Sequence, residues 1–368
     1  MVSHLKALTG LRFIAAFMVV MYHFGRPKAP LAFHNVIAHG FVAVTLFFVL
    51  SGFILSYSYS NTRGEMKVSS RDFWVARLAR IYPVYLLGFL LFTPYVSERL
   101  RALGVADSQN IGAYGAAALG LAQAWLTACV GVWNPPSWSL SAEAFFYLMF
   151  PFIGPYILAL SRRRLIIAAI IFWLLSLSAQ LMHALGHHLS QDFWAFNPLL
   201  RFPEFLLGIV LGRFWMIRVP GRFDAYAPIL SVLAMGGLFA VLALDIDEDW
   251  FLNGPTAPIM MLLIYSLAMG RGRLAKVLAS KPLVLLGESS YSLYILHWPL
   301  WLLIGGYLSD DLHLPKSAVF VIYAVLAVAA SILSFKLLEQ PANKFIRRKL
   351  SSKNANSSAW PNQSKSAS

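Results

Sequence analysis

The chain has 368 residues, of which 58% are hydrophobic and 12% are charged, and its mean hydropathy is +0.64. Soluble domains carry about 25% charged residues, so this composition excludes a water-soluble fold and indicates an integral membrane protein. The 30 Lys and Arg outnumber the 16 Asp and Glu, but the basic residues fall mainly in short connectors, where they set membrane orientation. We therefore exclude nucleic acid as a partner and expect contact with the lipid bilayer.

Long apolar runs predict an all-α, polytopic membrane helix bundle. Only helices and closed barrels satisfy their backbone groups in lipid, and about 20 apolar residues are needed for each spanning helix. Runs this long and continuous indicate helices. The candidate spans are residues 8–24, 38–59, 80–96, 111–128, 138–160, 165–185, 198–216, 225–244, 255–270, 287–308 and 316–338.

One of these runs is predicted not to cross. Residues 111–128 are rich in Gly and Ala and include Gln123, which suits a re-entrant or interfacial segment. Without this run, about ten helices cross, both termini are cytoplasmic, and the basic connectors collect on one side, as the positive-inside rule requires. The predicted organisation is a transmembrane domain over residues 1–345 and a disordered cytoplasmic tail, rich in Ser, Asn and Lys, over residues 346–368.

The first span contains two ionisable residues, Arg12 and His23. No small-residue cleavage pattern follows it, so we interpret it as an uncleaved span rather than a signal peptide. Eleven positions at 100° per residue put both side chains on one helix face, about 16 Å apart along the axis. Charged groups in lipid are costly, which favours a wet cavity in the bundle. Alternatively, Arg12 reaches the headgroups and His23 caps an interfacial end.

A pair of arginines precedes the third predicted span. Arg77 and Arg80 are one helical turn apart and can grip an anionic group such as a pyrophosphate through paired hydrogen bonds. Ordinary positive-inside topology is the alternative interpretation.

Carboxylates and hydroxyls mark the ends of two later spans. Glu143 follows Ser139 in a serine-rich stretch and is predicted to lie at the outer end of its span, where it could orient or balance a catalytic imidazole. Arg201 and Glu204 are one turn apart, which favours a salt bridge between them and is also compatible with substrate contact.

A second intramembrane histidine, His297, lies near the middle of residues 287–308 among Ser and Tyr hydroxyls. A hydrogen-bonded core histidine is the structural alternative to a functional one. No spacing of His or Cys indicates a metal site, and the single cysteine, Cys129, cannot form an internal disulfide.

Seven sequence motifs together resemble the acyltransferase family 3 membrane proteins. The motifs are the Arg12/His23 pair, "FFVLSGFILS" at 47–56, "RLARIYP" at 77–83, "PSWSLSAEAFFYLMFP" at 136–151, "RFPEFLLGIVLG" at 201–212, "SSYSLYILHWPL" at 289–300 and "LEQPANK" at 338–344. Many relatives carry a second glutamate where this chain has Ala144, so this chain has one carboxylate, Glu143, in that motif.

The resemblance implies an O-acyltransferase of the bacterial inner membrane. The donor would be cytoplasmic acyl-CoA, usually acetyl-CoA, as a substrate rather than a permanently bound cofactor. The acceptor would be a hydroxyl of an extracytoplasmic glycan, such as exopolysaccharide or lipopolysaccharide, or of a lipid-linked saccharide. The expected roles are catalysis for His23 and Glu143, donor binding for Arg12, Arg77 and Arg80, and acceptor binding for Arg201, Glu204, His297 and Ser139.

Two other functions suit intramembrane charge. A proton-coupled secondary transporter or glycan flippase would also use scattered Arg, His and Glu, but the charged motifs of the first half do not recur in the second, so no inverted repeat is evident. A purely structural membrane protein would not need so many ionisable groups in its spans.

For the acyltransferase, neither Cys129 nor any one serine stands out as a nucleophile, which favours direct transfer.

Overall fold

The computed structural model describes residues 5–25, 33–103, 110–185, 191–219, 221–308 and 314–351. These residues are almost entirely helical; their single β-type contact is an isolated bridge between Ser60 and Met66. The helices of the first half are α1 (Lys6–Val20), α2 (His34–Ala38), α3 (Ala43–Tyr59), α4 (Ser70–Phe92), α5 (Val96–Ala102), α6 (Ile111–Leu119), α7 (Trp138–Leu158), α8 (Arg162–Ser176) and α9 (Ser178–Ala184). Those of the second half are α10 (Gln191–Phe196), α11 (Pro198–Met216), α12 (Arg222–Leu242), α13 (Ala257–Ala268), α14 (Gly272–Leu278), α15 (Lys281–Glu288), α16 (Ser290–Gly306), α17 (Lys316–Ser334) and α18 (Gln340–Leu350).

Seven helical segments of the described chain are long and apolar enough to cross a membrane. They are Lys6–Gly25, Gly40–Tyr59, Ser70–Ala102, Pro135–Leu158, Asp192–Met216, Asp224–Leu242 and Lys316–Leu350. The sequence predicts about ten crossings, and the other three correspond to α8 together with α9, to α13 and to α16. The helices α8, α13 and α16 have 15, 12 and 17 residues. At 1.5 Å per residue each is shorter than the roughly 30 Å hydrocarbon core. The all-helical membrane bundle is therefore confirmed, whereas the count of ten is not.

The segment predicted to be re-entrant or interfacial contains a short helix. Helix α6 has nine residues and is followed by two 3-10 turns, Gln123–Trp125 and Thr127–Cys129. Nine residues extend only about 14 Å, which is too short to span the bilayer. That the segment is re-entrant or interfacial stays a prediction.

Helix α4 begins ten residues before the predicted third span, and this moves the arginine pair into the helix. The Ser69 side chain accepts a hydrogen bond from the Asp72 backbone N–H and caps the helix start. Arg77 and Arg80 therefore lie two to three turns inside α4. Both are partly buried by neighbouring helices.

The centre of the bundle is the contact between α3 and α11. A Cβ atom on Gly52 would come within 2.2 Å of the Phe205 carbonyl oxygen, and one on Gly208 within 2.1 Å of the Val49 carbonyl oxygen. Only glycine allows two helix backbones to approach this closely, a common device in membrane bundles. This packing fixes the position of α3, which lines both cavities described below.

The outer surface of the bundle is apolar. Helix α8 alone exposes Ile166, Ile167, Ile170, Ile171 and Leu174, a surface that lipid rather than water would cover. At the other end of the chain, α18 continues to Leu350, so the predicted domain boundary at residue 345 falls inside a helix. The rest of the predicted tail, residues 352–368, lies outside the described residues.

Candidate functional site

Three arginines from two helices meet in a cavity of about 160 Å³, here called the arginine cavity. Arg12 enters it from α1, and Arg77 and Arg80 enter it from α4. The remaining wall comes from α3, α7 and α16, and includes Ser51, Glu143, Tyr147, Tyr291 and Tyr294. Three guanidinium groups face one carboxylate on this wall, so the arginine cavity favours an anionic ligand.

Each arginine of the α4 pair is held by a specific partner. Arg77 donates to the Tyr59 hydroxyl oxygen at 2.7 Å, and its guanidinium lies 5.1 Å from the centre of the Tyr59 ring. Arg80 forms an ion pair with Glu339, which is fully buried and also accepts a 2.8 Å hydrogen bond from the Ser292 hydroxyl. These contacts fix the direction of both side chains before any ligand arrives.

Sequence reasoning missed Glu339, although it belongs to the "LEQPANK" motif. It ends a π-helical turn, Phe335–Glu339, between α17 and α18. Single π-helical turns within helices are frequent at functional sites. Nothing in the local sequence, however, indicates that the Glu339 carboxylate lies against Arg80, which is 259 positions earlier. Glu339 is a positioning residue for Arg80.

Replacing Glu339 by glutamine is expected to lower stability by about 3 kcal/mol, because it leaves the Arg80 charge buried without its partner. Thermal unfolding in detergent measures this loss. The double variant Glu339→Gln, Arg80→Met removes the stranded charge and should recover most of the lost stability. If Glu339→Gln unfolds at the wild-type temperature, the ion pair does not position Arg80.

Glu143 lies in the arginine cavity, away from His23. Its carboxylate accepts hydrogen bonds from the Ser51 hydroxyl at 3.1 Å and from the Tyr147 hydroxyl. The sequence predicts that Glu143 pairs with His23, but His23 lines the second cavity, whose wall does not include Glu143. The reason is that Glu143 is five residues beyond the start of α7, about 7.5 Å along its axis, which carries it past the boundary between the cavities.

A second, larger cavity of about 410 Å³, the histidine cavity, contains His23. His23 lies in a π-helical turn, Met21–Gly25, that continues α1. The wall of the histidine cavity also contains charged and aromatic side chains, among them Tyr22, Arg99, Trp138, Asp192, Phe196, Arg201 and Trp298. Aromatic faces beside polar groups suit an amphipathic ligand with hydroxyls.

His297 orients His23. The His297 Nδ1 lies 2.7 Å from the Tyr294 carbonyl oxygen, which can only accept, so Nδ1 carries the hydrogen. In neutral His297 the lone pair is then on Nε2, 3.0 Å from the His23 Nδ1. His23 Nδ1 is therefore the donor, which leaves the lone pair of neutral His23 on Nε2. The pair fixes the tautomer of His23 as a carboxylate would.

His297 lines neither cavity and is fully buried. It is therefore placed to support His23, whereas the sequence predicts that it contacts a substrate. The Tyr323 hydroxyl donates to the His297 backbone oxygen at 2.7 Å and further anchors this turn of α16.

Arg201 and Glu204 form the predicted salt bridge at 3.1 Å. Arg201 also donates to the Thr45 hydroxyl and to the Asn253 side-chain oxygen, and it lines the histidine cavity. Glu204 is fully buried, lines neither cavity and accepts from Thr45 at 3.1 Å. Arg201 therefore faces the cavity in which a substrate would bind, and Glu204 holds its guanidinium in place.

Ser139 lies near the start of α7, next to Trp138 of the histidine cavity. It lines the arginine cavity, and its hydroxyl is 2.8 Å from the Tyr294 hydroxyl and 3.1 Å from the Pro136 carbonyl oxygen. The sequence predicts a substrate contact for Ser139, and the structure adds Tyr294, which the sequence analysis does not single out. Tyr294 and Val44 are on the walls of both cavities.

Comparison with known proteins identifies relatives along nearly the whole chain. A family model described as an acyltransferase domain matches residues 5–336. The O-acetyltransferase OatA of Staphylococcus aureus is 25% identical over 372 residues, covering 93% of this chain and 57% of OatA. The acyltransferase MdmB of Streptomyces mycarofaciens is 31% identical over 316 residues, covering 81% of this chain and 79% of MdmB. The chain thus spans little more than half the length of OatA. No solved structure gives a significant match.

Proposed function

The chain belongs to the acyltransferase-domain family, and from that premise we propose that it is a membrane O-acyltransferase that moves an acyl group from acyl-CoA to a hydroxyl of a glycan. The donor binds in the arginine cavity and the acceptor in the histidine cavity. The observation that carries the proposal is the hydrogen bonding of His23, which leaves the lone pair of its imidazole on Nε2. His23 lines the histidine cavity, and three arginines line the adjoining cavity.

The donor is proposed to be acyl-CoA, most simply acetyl-CoA. Coenzyme A carries a diphosphate, and arginine forks bind such groups through charge-assisted, bidentate hydrogen bonds. Arg77 and Arg80 are preset by Tyr59 and Glu339, and Arg12 faces the same cavity. The orientation that places this cavity toward the cytoplasm, where acyl-CoA is made, remains part of the proposal.

The acceptor is proposed to be a hydroxyl of an extracytoplasmic glycan, such as exopolysaccharide, lipopolysaccharide or a lipid-linked saccharide. Two features of the histidine cavity support a saccharide. Rings such as Trp138 and Trp298 offer flat apolar faces, and Arg99, Asp192 and Arg201 offer groups that hydrogen-bond to hydroxyls. The name of one relative, OatA, describes an O-acetyltransferase.

The proposed reaction is direct transfer with His23 as general base. Its Nε2 removes the proton of the acceptor hydroxyl while the oxygen adds to the carbonyl carbon of the thioester. The tetrahedral intermediate collapses by breaking the carbon–sulfur bond, which forms the ester and releases the coenzyme A thiolate. The imidazolium of His23 then returns the proton to that sulfur. His297 accepts from His23 Nδ1–H throughout and stabilises the imidazolium.

The role proposed for Glu143 changes with its position. It lies with Arg12 and Arg77 on the wall of the arginine cavity. The hydrogen bond that it accepts from Ser51 ties α7 to α3, and the one from Tyr147 lies within α7. We assign it to shaping the donor site rather than to holding the catalytic base.

The experiment that tests the function uses the purified full chain in detergent, where no gradient exists. With acetyl-CoA labelled in the acetyl group and a saccharide extract from a host lacking this chain, we expect label in the saccharide and one free thiol for each ester formed. A secondary transporter, the alternative function, would release no thiol and would instead move saccharide across liposomes in response to a proton gradient. That result would overturn the proposal.

A further inference from the structure

The arginine cavity and the histidine cavity adjoin each other. Of all the residues that line them, Val44 of α3 and Tyr294 of α16 are common to both. Both residues therefore border the two cavities at the place where the cavities adjoin. We call these two residues the partition.

The Tyr294 side chain is latched across the bundle. Its hydroxyl is 2.8 Å from the Ser139 hydroxyl and 3.0 Å from the Pro136 carbonyl oxygen, and Ser139 is itself 3.1 Å from that carbonyl. One of the two hydroxyls donates to the other, and the second then donates to the Pro136 carbonyl oxygen. Either hydroxyl can be the first donor, and in both arrangements both hydroxyl hydrogens are donated. The latch joins α16 to the start of α7 and holds the phenol ring between the cavities.

The main chain of Tyr294 has a different task from its side chain. Its carbonyl oxygen accepts from His297 Nδ1 and thereby sets the tautomers of the histidine pair. A substitution at position 294 keeps this carbonyl. The side chain can therefore be changed without removing the contact that orients His23.

We propose that the Tyr294 side chain determines which acyl groups the chain transfers. This inference rests on the proposed function. If acyl-CoA binds among the arginines and His23 acts in the other cavity, the acyl group and the acceptor oxygen can meet only at the partition, beside the phenol ring. A ring at this position leaves room for a short acyl group and obstructs a long one. The latch also keeps water of the histidine cavity away from the thioester.

The magnitude follows from how pockets discriminate by size. A single methylene changes discrimination by about 10-fold to 200-fold in a closed apolar pocket. Removing a whole phenol ring should therefore change the preference between acyl groups that differ by several methylenes by at least about 10-fold. Because the ring also separates the cavities, its removal should let water add to the thioester carbonyl, breaking the carbon–sulfur bond to give the free acid and coenzyme A.

The experiment measures thiol release by the full-length wild type and the Tyr294→Ala variant with acetyl-CoA, butanoyl-CoA and octanoyl-CoA. Each donor is assayed with and without the saccharide extract. The wild type should prefer the acetyl donor. Tyr294→Ala should raise the octanoyl-to-acetyl ratio by at least about 10-fold and increase release without acceptor. The variant Tyr294→Phe keeps the ring but loses the latch, so only release without acceptor should rise.

Tyr85→Ala is the matched control. Tyr85 is also buried, donates to the Ala118 carbonyl oxygen at 2.6 Å and lines neither cavity. Its donor ratio should equal that of the wild type. If Tyr294→Ala fails to fold, Val44→Ala tests the same partition from α3, and it should also raise the octanoyl-to-acetyl ratio.

The outcomes separate the two proposals. A wild type that transfers no acyl group from any donor overturns the proposed function. A wild type that transfers acetyl groups, together with partition variants whose donor ratio is unchanged, overturns the role of Tyr294 and leaves the function standing.

Discussion

Replacement of His23 by alanine is expected to slow acyl transfer by about 10²-fold to 10⁴-fold, the usual contribution of a general base. The variant loses the basic Nε2 of His23. In the wild type, the hydrogen bond from His23 Nδ1 to His297 keeps the lone pair on this Nε2 atom. Binding of acyl-CoA should be retained, because His23 does not line the arginine cavity. Labelled acetyl transfer and equilibrium binding of acetyl-CoA, measured on the same preparation, separate the two effects.

His34→Ala is the control for this experiment. His34 is exposed on α2 and lines neither cavity, so its removal should leave transfer unchanged. A His23→Ala protein that transfers acetyl groups at the wild-type rate would eliminate the general-base role.

The second large effect is expected from the double replacement Arg77→Ala, Arg80→Ala. Hydrogen bonds to charged groups contribute about 1.5 kcal/mol or more each, so losing two should weaken acetyl-CoA binding by about 100-fold. The physical reason is that the anion would lose the two guanidinium groups that Tyr59 and Glu339 hold toward the cavity. Equilibrium binding of acetyl-CoA in detergent measures this loss, and its dependence on salt gives a second indication of charge.

Arg163→Ala, Arg164→Ala removes the same amount of charge from an exposed part of α8 and should leave acetyl-CoA binding unchanged. If both double variants bind acetyl-CoA as the wild type does, the α4 arginines serve membrane topology alone.

Hydropathy alone predicts most of the helices well, because each long apolar run has one stable structure in lipid. The run at 198–216 coincides with α11, and the run at 138–160 differs from α7 by two residues. The start of α4 was harder to predict because its first three turns carry charges that interrupt the apolar run. A sequence signal was nevertheless present: Ser69 followed by Asp72 is a capping pattern.

Contacts between distant helices could not be predicted from the sequence. His23 and His297 are 274 positions apart, and their hydrogen bond depends on how α1 packs against α16. Sequence reasoning identified both histidines by their cost in a membrane but assigned His297 to substrate contact. The same limit applies to Glu143, whose cavity is decided by a few ångströms along α7.

Tyr294 illustrates why a neutral residue escapes a search for charge. A tyrosine in an apolar span is ordinary, and its importance comes only from the cavities on its two sides. No local pattern encodes that position.

A structure determined with a thioether analogue of acetyl-CoA, which cannot be cleaved, tests the central claim most directly. We expect the phosphate groups to contact Arg77 and Arg80 in the arginine cavity, and the acyl end to lie at the partition, beside the phenol ring of Tyr294 and within reach of an acceptor oxygen bound to His23. An analogue whose phosphates bind outside the arginine cavity, or whose acyl end lies far from Tyr294, would contradict it.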